Sequence, residues 1–405
     1  MILSNTNAER LEVSHMLFHS PELTDREVEV VVEVNRLQED LRLNVREPRR
    51  WVGSLRRASM ARAIQGSNSI EGYDASLDDA AAVDLGEEPL DATQETTLAL
   101  KGYRHAMTFV LQMASDDRFS YNEQLIKSLH YMMTSYDLQS RPGLWRIGAI
   151  FVENEHSHEI VYEGADVSQV PTLMTELIDD LNSLERRQPI VDAAMAHLNL
   201  VMVHPFRDGN GRMARCLQTL VLARQGIIAP VFSSVEEYLG KNTQAYYDVL
   251  AQVGDGSWRP DRDARPWVRF MLTAHLRQAR TMLRRVKESE RLWFEIEKLV
   301  KAQGLPERTF AALYDAAIGF RVRNATYRAM LRPDDDITDA TASRDLKHLL
   351  EAQLLRPVGE KRGRYYTASP KLRDLWQSIV TNRDPRDDSD PFADELLPIV
   401  SGRLF

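Results

Sequence analysis

Cysteine is nearly missing from this sequence: Cys216 is the only one in 405 residues. No internal disulfide can form, and nothing in the cysteine usage argues for an oxidising compartment. No apolar run approaches the roughly 20 residues that a membrane-spanning helix needs. The opening MILSNTNAERLEVSHM lacks the charged-then-apolar pattern of a secretory signal. Positive charge is also short, with 51 Lys and Arg against 60 Asp and Glu and a net charge of −9. That balance argues against wholesale coating of nucleic acid or an anionic membrane, while leaving room for a local basic patch. Glycine and proline, 19 and 17, are not in excess. The expectation is an ordinary cytoplasmic globular protein with no membrane partner, of two or three domains.

What is present is mostly helical patterning. A mixed apolar and charged stretch, VEVVVEVNRLQEDLRL, suits an amphipathic helix after Pro21, and a second helix is expected over about 52–71, ending at Gly72. Residues 74–97 are acidic, with a short helix and loops. Helical patterns resume at about 98–115, 122–135, 170–184, 191–203 and 212–225, then through the 240s and over 265–303. Two short β-rich runs flank a polar turn in GAIFVENEHSHEIVYEG, which predicts a hairpin over 148–163. Past Leu305, short helices lead to ITDATASRDLKHLLEAQLL and then to RPVGEKRGRYYTAS, a two-stranded turn with Gly363 at its bend. The Asp- and Pro-rich end, NRDPRDDSDP, reads as a mobile tail. The arginines of 277–285 read as a solvated helix face.

The most informative string is His204-Pro205-Phe206-Arg207-Asp208-Gly209-Asn210-Gly211-Arg212-Met213-Ala214-Arg215. An apolar helix leads in and an amphipathic helix leads out, so His204 to Arg212 is expected to be a loop ending at a helix N-terminus. Such a loop suits an anion, because glycines admit close backbone approach and N–H groups at a helix start point at negative charge. Arg212 and Arg215, three residues apart, share a face of the first turn. Cations there are disfavoured unless something negative offsets them; a polyphosphate or a buried carboxylate would do so. Asp208 supplies a hard oxygen ligand of the kind that phosphate-bound Mg²⁺ takes. His204 is the side chain best suited to accept a hydroxyl proton near neutral pH.

This string resembles the signature of the Fic family, H-P-F-x-[DE]-G-N-G-R-x-x-R, residue for residue. The resemblance implies a mainly α fold: a Fic-type helical core with a small β-hairpin flap, plus a C-terminal winged-helix module. It implies the substrate ATP and the cofactor Mg²⁺, with His204 as the base and Asp208 holding the metal at the α- and β-phosphates. Gly209, Asn210 and Gly211 would form the anion hole, Arg212 would contact the β-phosphate, and Arg215 the γ-phosphate. Phe206 would point into the core. In the family's kinase-like branch a lysine replaces the second glycine, whereas Gly211 stands here, so transfer of AMP to a protein hydroxyl is implied. The partner is then a target protein with a Tyr, Thr or Ser hydroxyl, self-modification included. Alternatives within the same resemblance are removal of AMP from a modified protein, and a nucleotide-sensing DNA-binding regulator.

Ser67-Asn68-Ser69-Ile70-Glu71-Gly72 matches the family's inhibitory motif, [ST]-x-x-x-E-[GN], placed ahead of the core. Ser67 and Glu71 lie one turn apart on one helix face, and Gly72 suits the position just past a helix end. Glu71 in the last turn conflicts with the helix dipole unless a cation meets it; the resemblance implies that the cation is Arg215. The hairpin resembles the family's flap, with Ile160, Val161 and Tyr162 as an open edge for a target strand. The domains expected are 1–97, carrying the inhibitory helix at about 52–72, 98–260 as the Fic core, 261–304 as a linking helix, 305–380 as a winged-helix-like domain, and 381–405 as a tail. Thr341–Arg364 holds six basic residues against three acids, a bias compatible with DNA and equally with docking or homo-oligomer formation. His130, His197 and Cys216 read as core residues, and His156 and His158 as turn residues rather than metal ligands.

Overall fold

A computed structural model describes residues 16–45, 51–153, 159–183, 188–226, 230–331, 337–360, 363–383, 385 and 387–393. His156 and His158, and the wing residues Lys361 and Arg362, lie outside them.

The chain begins with α1 (Asp25–Asn44), started by Thr24, whose hydroxyl accepts from Glu27 N–H while the Glu27 side chain returns to the Thr24 amide. This reciprocal cap satisfies two donors that a helix start otherwise leaves bare. Glu27 is fully buried and also ion-paired to Arg265 and Arg269. Next come α2 (Val52–Ser69), α3 (Leu77–Asp84), α4 (Gln94–Met113) and α5 (Glu123–Thr134). After α5 the chain forms β1 (Phe151–Glu153) and β2 (Ile160–Glu163), then α6 (Val170–Asn182), α7 (Pro189–Val203) and α8 (Asn210–Arg224). Short helices α9 (Pro230–Ser233), α10 (Glu236–Lys241) and α11 (Thr243–Gly254) follow, with β3 (Gly256–Ser257). The long α12 (Arg265–Ala302) connects to α13 (Phe310–Ala317), α14 (Asn324–Ala329), α15 (Asp339–Glu351), β4 (Leu355–Val358), β5 (Tyr365–Ala368) and α16 (Pro370–Thr381). The class is mainly α, as the sequence implied.

Helices α7 and α8 form an antiparallel pair at the centre of the larger core, each buried nearly all round. A helix that is apolar or small on every face belongs inside, not at a surface. Helix α2 is of the same kind. Its Gly66 meets Gly240 of α10 so closely that a Cβ on Gly66 would sit 2.4 Å from the Glu236 carbonyl oxygen. Small residues at this crossing let the two backbones touch and fix where the end of α2 falls.

A second core, built from the later half of α12 together with α13–α16 and the β4–β5 pair, lies beyond the first. A bridge from Val322 to Tyr366 adds a third extended contact to that pair. The helix after the hairpin, α16, is an addition to the sequence reading. On α15, Arg344 and Lys347 are exposed, as are Arg356 of β4 and Arg364 just before β5. Asp345, counted with the acids of this stretch, is instead buried and bound by Arg308 and Tyr327.

One reading is extended and one corrected. The hairpin forms, with β1 antiparallel to β2, and a third strand joins it in the order β1-β2-β3, with β3 parallel to β2 through Tyr162–Gly256 and Glu163–Ser257. The last segment is not loose throughout: Phe392 is buried with Arg269 over its ring, and Asp387 and Asp388 engage Arg280 and Arg277. Part of the arginine face of α12 is therefore covered.

Candidate active site

The loop between α7 and α8 is built by local rules. Helix α7 ends at His204, which takes the left-handed conformation (φ 54°) and caps the helix through its amide to the Leu200 carbonyl. Pro205 cannot continue the helix. The chain then turns so that Phe206 is fully buried and stacks on His130, ring centroids 3.7 Å apart and planes 5° apart. The Asn210 side chain bonds both backbone groups of Phe206, at 2.9 Å each, and closes the loop on itself. Gly209 has φ 77°, and a Cβ there would press on Thr134 at 2.9 Å. Helix α8 starts at Asn210, so Asn210, Gly211 and Arg212 form its first turn rather than the end of the loop.

Arg146 braces the loop from the other side. Its guanidinium donates to the carbonyls of His204 (2.8 Å), Gly148 (2.7 Å) and Ala165, and its own amide donates to Pro205. His130 is the second brace. Gly143 N–H donates to His130 Nδ1 at 2.8 Å, which leaves Nε2–H to donate to the Asp208 carbonyl at 2.9 Å. Burial holds the His130 pKa down to about 4, so the ring is neutral and this tautomer is fixed. Read in the sequence as a core histidine, His130 is in fact the residue that orients the Asp208 backbone. Its position four residues before Thr134 gave no sign of this, because the partner is 78 positions away in the chain. His197 stays a core histidine, held between Gln218 and Tyr246, and Cys216 is fully buried.

The chemically active groups then converge. His204 Nδ1–H donates to the Val201 carbonyl at 2.9 Å, so Nε2 keeps its lone pair. Burial pushes the imidazole below its ordinary pKa. The Asp208 carboxylate is about half exposed and lies 3.2 Å from Arg212 Nη2. Arg212 is fully buried, donates to Tyr136 Oη at 3.0 Å and lies over the Tyr73 ring.

Arg215 is 1% exposed and is held by helix α2. Its Nε donates to Ser67 Oγ at 2.8 Å, and Nη2 donates to the Ser67 carbonyl at 2.9 Å and to Glu71 Oε1 at 2.5 Å. Burial opposes charge on both partners, but the pairing wins: Glu71 is pushed below, and Arg215 above, its ordinary pKa. Gly72 (φ 78°) and the Tyr73 N–H to Asn68 carbonyl bond terminate α2, and Tyr247 Oη donates to the Ile70 carbonyl. A Cβ on Gly211 would lie 2.4 Å from Glu71 Oε1, so the carboxylate rests against the first turn of α8.

Two further facts bear on what the site holds. Arg212 Nε and Arg215 Nη1 are buried without a hydrogen-bond partner among the described residues. Such orphans are costly in a native interior unless a ligand meets them, and an oxyanion at the α8 N-terminus is the ligand type that fits. Beside Asp208 a cavity of about 380 Å³ opens, lined by Tyr73, Gln94, Leu98, Thr134 and Tyr136 among others. Among the described residues no cluster of three or more His, Cys, Asp or Glu could hold a metal by itself. A phosphate-bound Mg²⁺ needs only one or two carboxylates, so Asp208 fits that mode.

In the flap, Ile160 and Val161 are exposed, at 58% and 39%. Tyr162 is not: its ring is buried against Gly254 and its hydroxyl donates to the Met202 carbonyl at 2.8 Å. The open edge expected over three residues is confined to the first two, and Tyr162 anchors the flap to α7.

The glycine-rich loop opens a buried helix, α8, inside a helical core, and residues 120–222 match the model of the Fic/DOC family. That stretch is similar to the Fic/DOC family. It is 38% identical over 103 residues to Protein adenylyltransferase fic-1 of Caenorhabditis briggsae, covering 24% of this chain and 17% of that protein. It is 35% identical over 117 residues to Protein adenylyltransferase Fic of Aedes aegypti, covering 27% and 21%. The matched stretch is thus about one fifth of these relatives' length. The fold is similar to that of a Fic family protein from Desulfovibrio desulfuricans G20, with a TM-score of 0.54 and 22% identity over 88% of this chain and 99% of that one. It is also similar to Fic-1 of Caenorhabditis elegans, with a TM-score of 0.51 and 23% identity over 65% and 73%.

Proposed function

We propose that this chain is a protein adenylyltransferase that moves AMP from Mg-ATP to a hydroxyl of a target protein, and that Glu71 restrains it. The observation that carries the reading is the pair of buried arginines in the first two turns of α8, one of them already met by a carboxylate just past the end of α2. Two buried cations at a helix N-terminus require negative charge. A polyphosphate supplies it when bound; Glu71 supplies part of it otherwise.

In the proposed reaction His204 Nε2 accepts the proton of a Tyr, Thr or Ser hydroxyl. The oxygen attacks the α-phosphorus, a new O–P bond forms, and the bond from the α-phosphorus to the bridging oxygen breaks as pyrophosphate leaves. Backbone N–H groups of Gly209, Asn210 and Gly211 hold the triphosphate, with Arg212 on the β-phosphate and Arg215 on the γ-phosphate once Glu71 gives way. Asp208 would hold Mg²⁺, which neutralises phosphate charge when bound. Catalysis here is positioning and preorganised charge more than covalent chemistry. The depressed His204 pKa keeps the base neutral, and so able to take a proton, at physiological pH. Exposed Ile160 and Val161 are the proposed docking edge for the target segment.

The test uses the Glu71→Gly protein with ATP labelled at either the α- or the γ-phosphate. Label on protein from the α position alone supports AMP transfer, whereas label from the γ position would mean phosphoryl transfer and overturn the reading.

A further inference from the structure

The turn that brings Glu71 to Arg215 brings a second side chain to Arg212. Helix α2 ends at Ser69, and the Tyr73 amide folds back across Gly72 to donate to the Asn68 carbonyl at 3.1 Å. Glu71 and Tyr73 therefore project from one turn, two residues apart. Glu71 meets Arg215, and the Tyr73 ring lies against the Arg212 guanidinium, whose central carbon is 5.1 Å from the ring centroid. Tyr136 latches the ring in place. Its hydroxyl accepts from Arg212 Nη1 at 3.0 Å and donates to Tyr73 Oη at 3.2 Å. Burial, and then the bond with Tyr136, raises the Tyr73 phenol above its ordinary pKa. The ring thus meets Arg212 as a neutral π face, a cation–π contact and not an ion pair.

Arg212 is enclosed without being fully satisfied. Nη1 is on Tyr136, Nη2 is on the Asp208 carboxylate, and Nε has no hydrogen-bond partner among the described residues. In the proposed reaction this guanidinium takes the β-phosphate, yet its side chain is only 1% exposed. Something has to move before a phosphate oxygen reaches it. Glu71 must already leave Arg215 for the γ-phosphate to arrive, and Tyr73 stands on the same turn. Gly72 has open space where a Cβ would be, so nothing packs against the turn there. Both tyrosines border the cavity of about 380 Å³ beside Asp208, which gives the ring room to swing aside.

We propose that Tyr73 is a second stop of the same brake: its ring caps Arg212 while Glu71 occupies Arg215, and a bound triphosphate displaces the two together. This role rests on the adenylyltransferase reading for the ligand that arrives. The cap answers to the phosphate tail of a nucleotide, since AMP has no β- or γ-phosphate to bring to either arginine.

The experiment is calorimetric binding of ATP and of AMP to the full chain, with Mg²⁺ present. Tyr73→Ala removes a contact that ATP otherwise has to break, and should tighten ATP about tenfold while leaving AMP unchanged. Tyr73→Phe keeps the ring and should stay close to wild type for both ligands. Should Tyr73→Ala lose its fold, Tyr73→Leu, which keeps bulk without a π face, should show part of the same shift. Equal tightening of ATP and AMP would mean a general loosening of the site. Unchanged or weaker ATP binding would mean that the ring supports Arg212 and does not cap it, and a Tyr73→Phe protein as tight as Tyr73→Ala would assign the effect to the hydroxyl. Any of these three results overturns the proposal. Labelling of Glu71→Gly from α-labelled ATP, run alongside, tests the transfer reading separately. No label there, together with the expected shift in ATP affinity, would sink that reading and leave the cap standing, whereas absence of ATP binding in every variant would overturn both.

Discussion

Glu71 Oε1 stands 2.5 Å from Arg215 Nη2, although 144 positions separate the two residues in the chain. Ser67, one turn earlier on α2, holds the same guanidinium by its hydroxyl and its carbonyl. The end of α2 and helix α8 therefore meet at one side chain, and α2 cannot withdraw without changing what Arg215 sees.

The first consequence concerns stability. Removing one partner of a buried ion pair leaves the other charge uncompensated, at a cost of up to about 3–5 kcal/mol. Glu71 is 23% exposed, so a loss somewhat below that range, about 2–3 kcal/mol, is expected for Glu71→Gly in urea unfolding without nucleotide. Mg-ATP should recover much of it by binding the folded state. Equal stability of the two proteins without nucleotide would argue against a working pair.

The pair also sets a pH dependence. The folded-state pKa of Glu71 lies below its ordinary 4.5, so its contribution is fully present above that value. It is lost as pH falls through the depressed folded value. The stability difference between wild type and Glu71→Gln should thus be flat from neutral pH down to about 5 and shrink below it. A difference that grows on acidification would contradict the assignment.

Much of this site was legible in the sequence because its parts are local. His204 to Arg215 is one contiguous string whose proline, glycines and flanking apolar helices dictate a turn at a helix start, and the Ser67–Glu71 spacing brings both to Arg215, although α2 ends at Ser69 and Glu71 lies in the turn just past it. The single shift is that Asn210 opens the helix, with its side chain stapling Phe206. What was not legible depends on contacts between distant segments. His130 has the sequence neighbourhood of a core residue, and only the fold brings its ring to Phe206 and Asp208. Tyr162 continues the alternation of an exposed strand, yet β3 arrives from nearly a hundred residues later and covers it. The tail composition suggests mobility, but Phe392 finds a buried place beside Arg269.

His130 offers a test of positioning. His130→Phe keeps the stack on Phe206 and removes both hydrogen bonds. The Asp208 backbone should then lose its fixed orientation, and the Mg²⁺ concentration for half-maximal labelling should rise about tenfold. Activity should return in excess Mg²⁺. Loss of activity at all Mg²⁺ concentrations, or no change, would show that the brace does not act through Asp208.

A fourth prediction concerns the seam between the two cores. Arg321 bonds Asp78, Asp79 and Asp91, and Arg57 of α2 pairs with buried Asp315 of α13. Arg321→Ala should loosen this seam, seen as faster hydrogen exchange in 77–84 and 310–317 with little change in 189–224. Uniform acceleration would mean that the two cores unfold as one unit.

The account rests on Glu71 as a brake on a transferase whose base is His204. Its most direct test is incorporation of label from α-labelled ATP with Mg²⁺ in wild type, Glu71→Gly and Glu71→Gly/His204→Ala. The account predicts little label in wild type, strong label in Glu71→Gly on the enzyme or on added target proteins, and none in the double variant. Equal labelling of wild type and Glu71→Gly, or label that survives without His204, would contradict it.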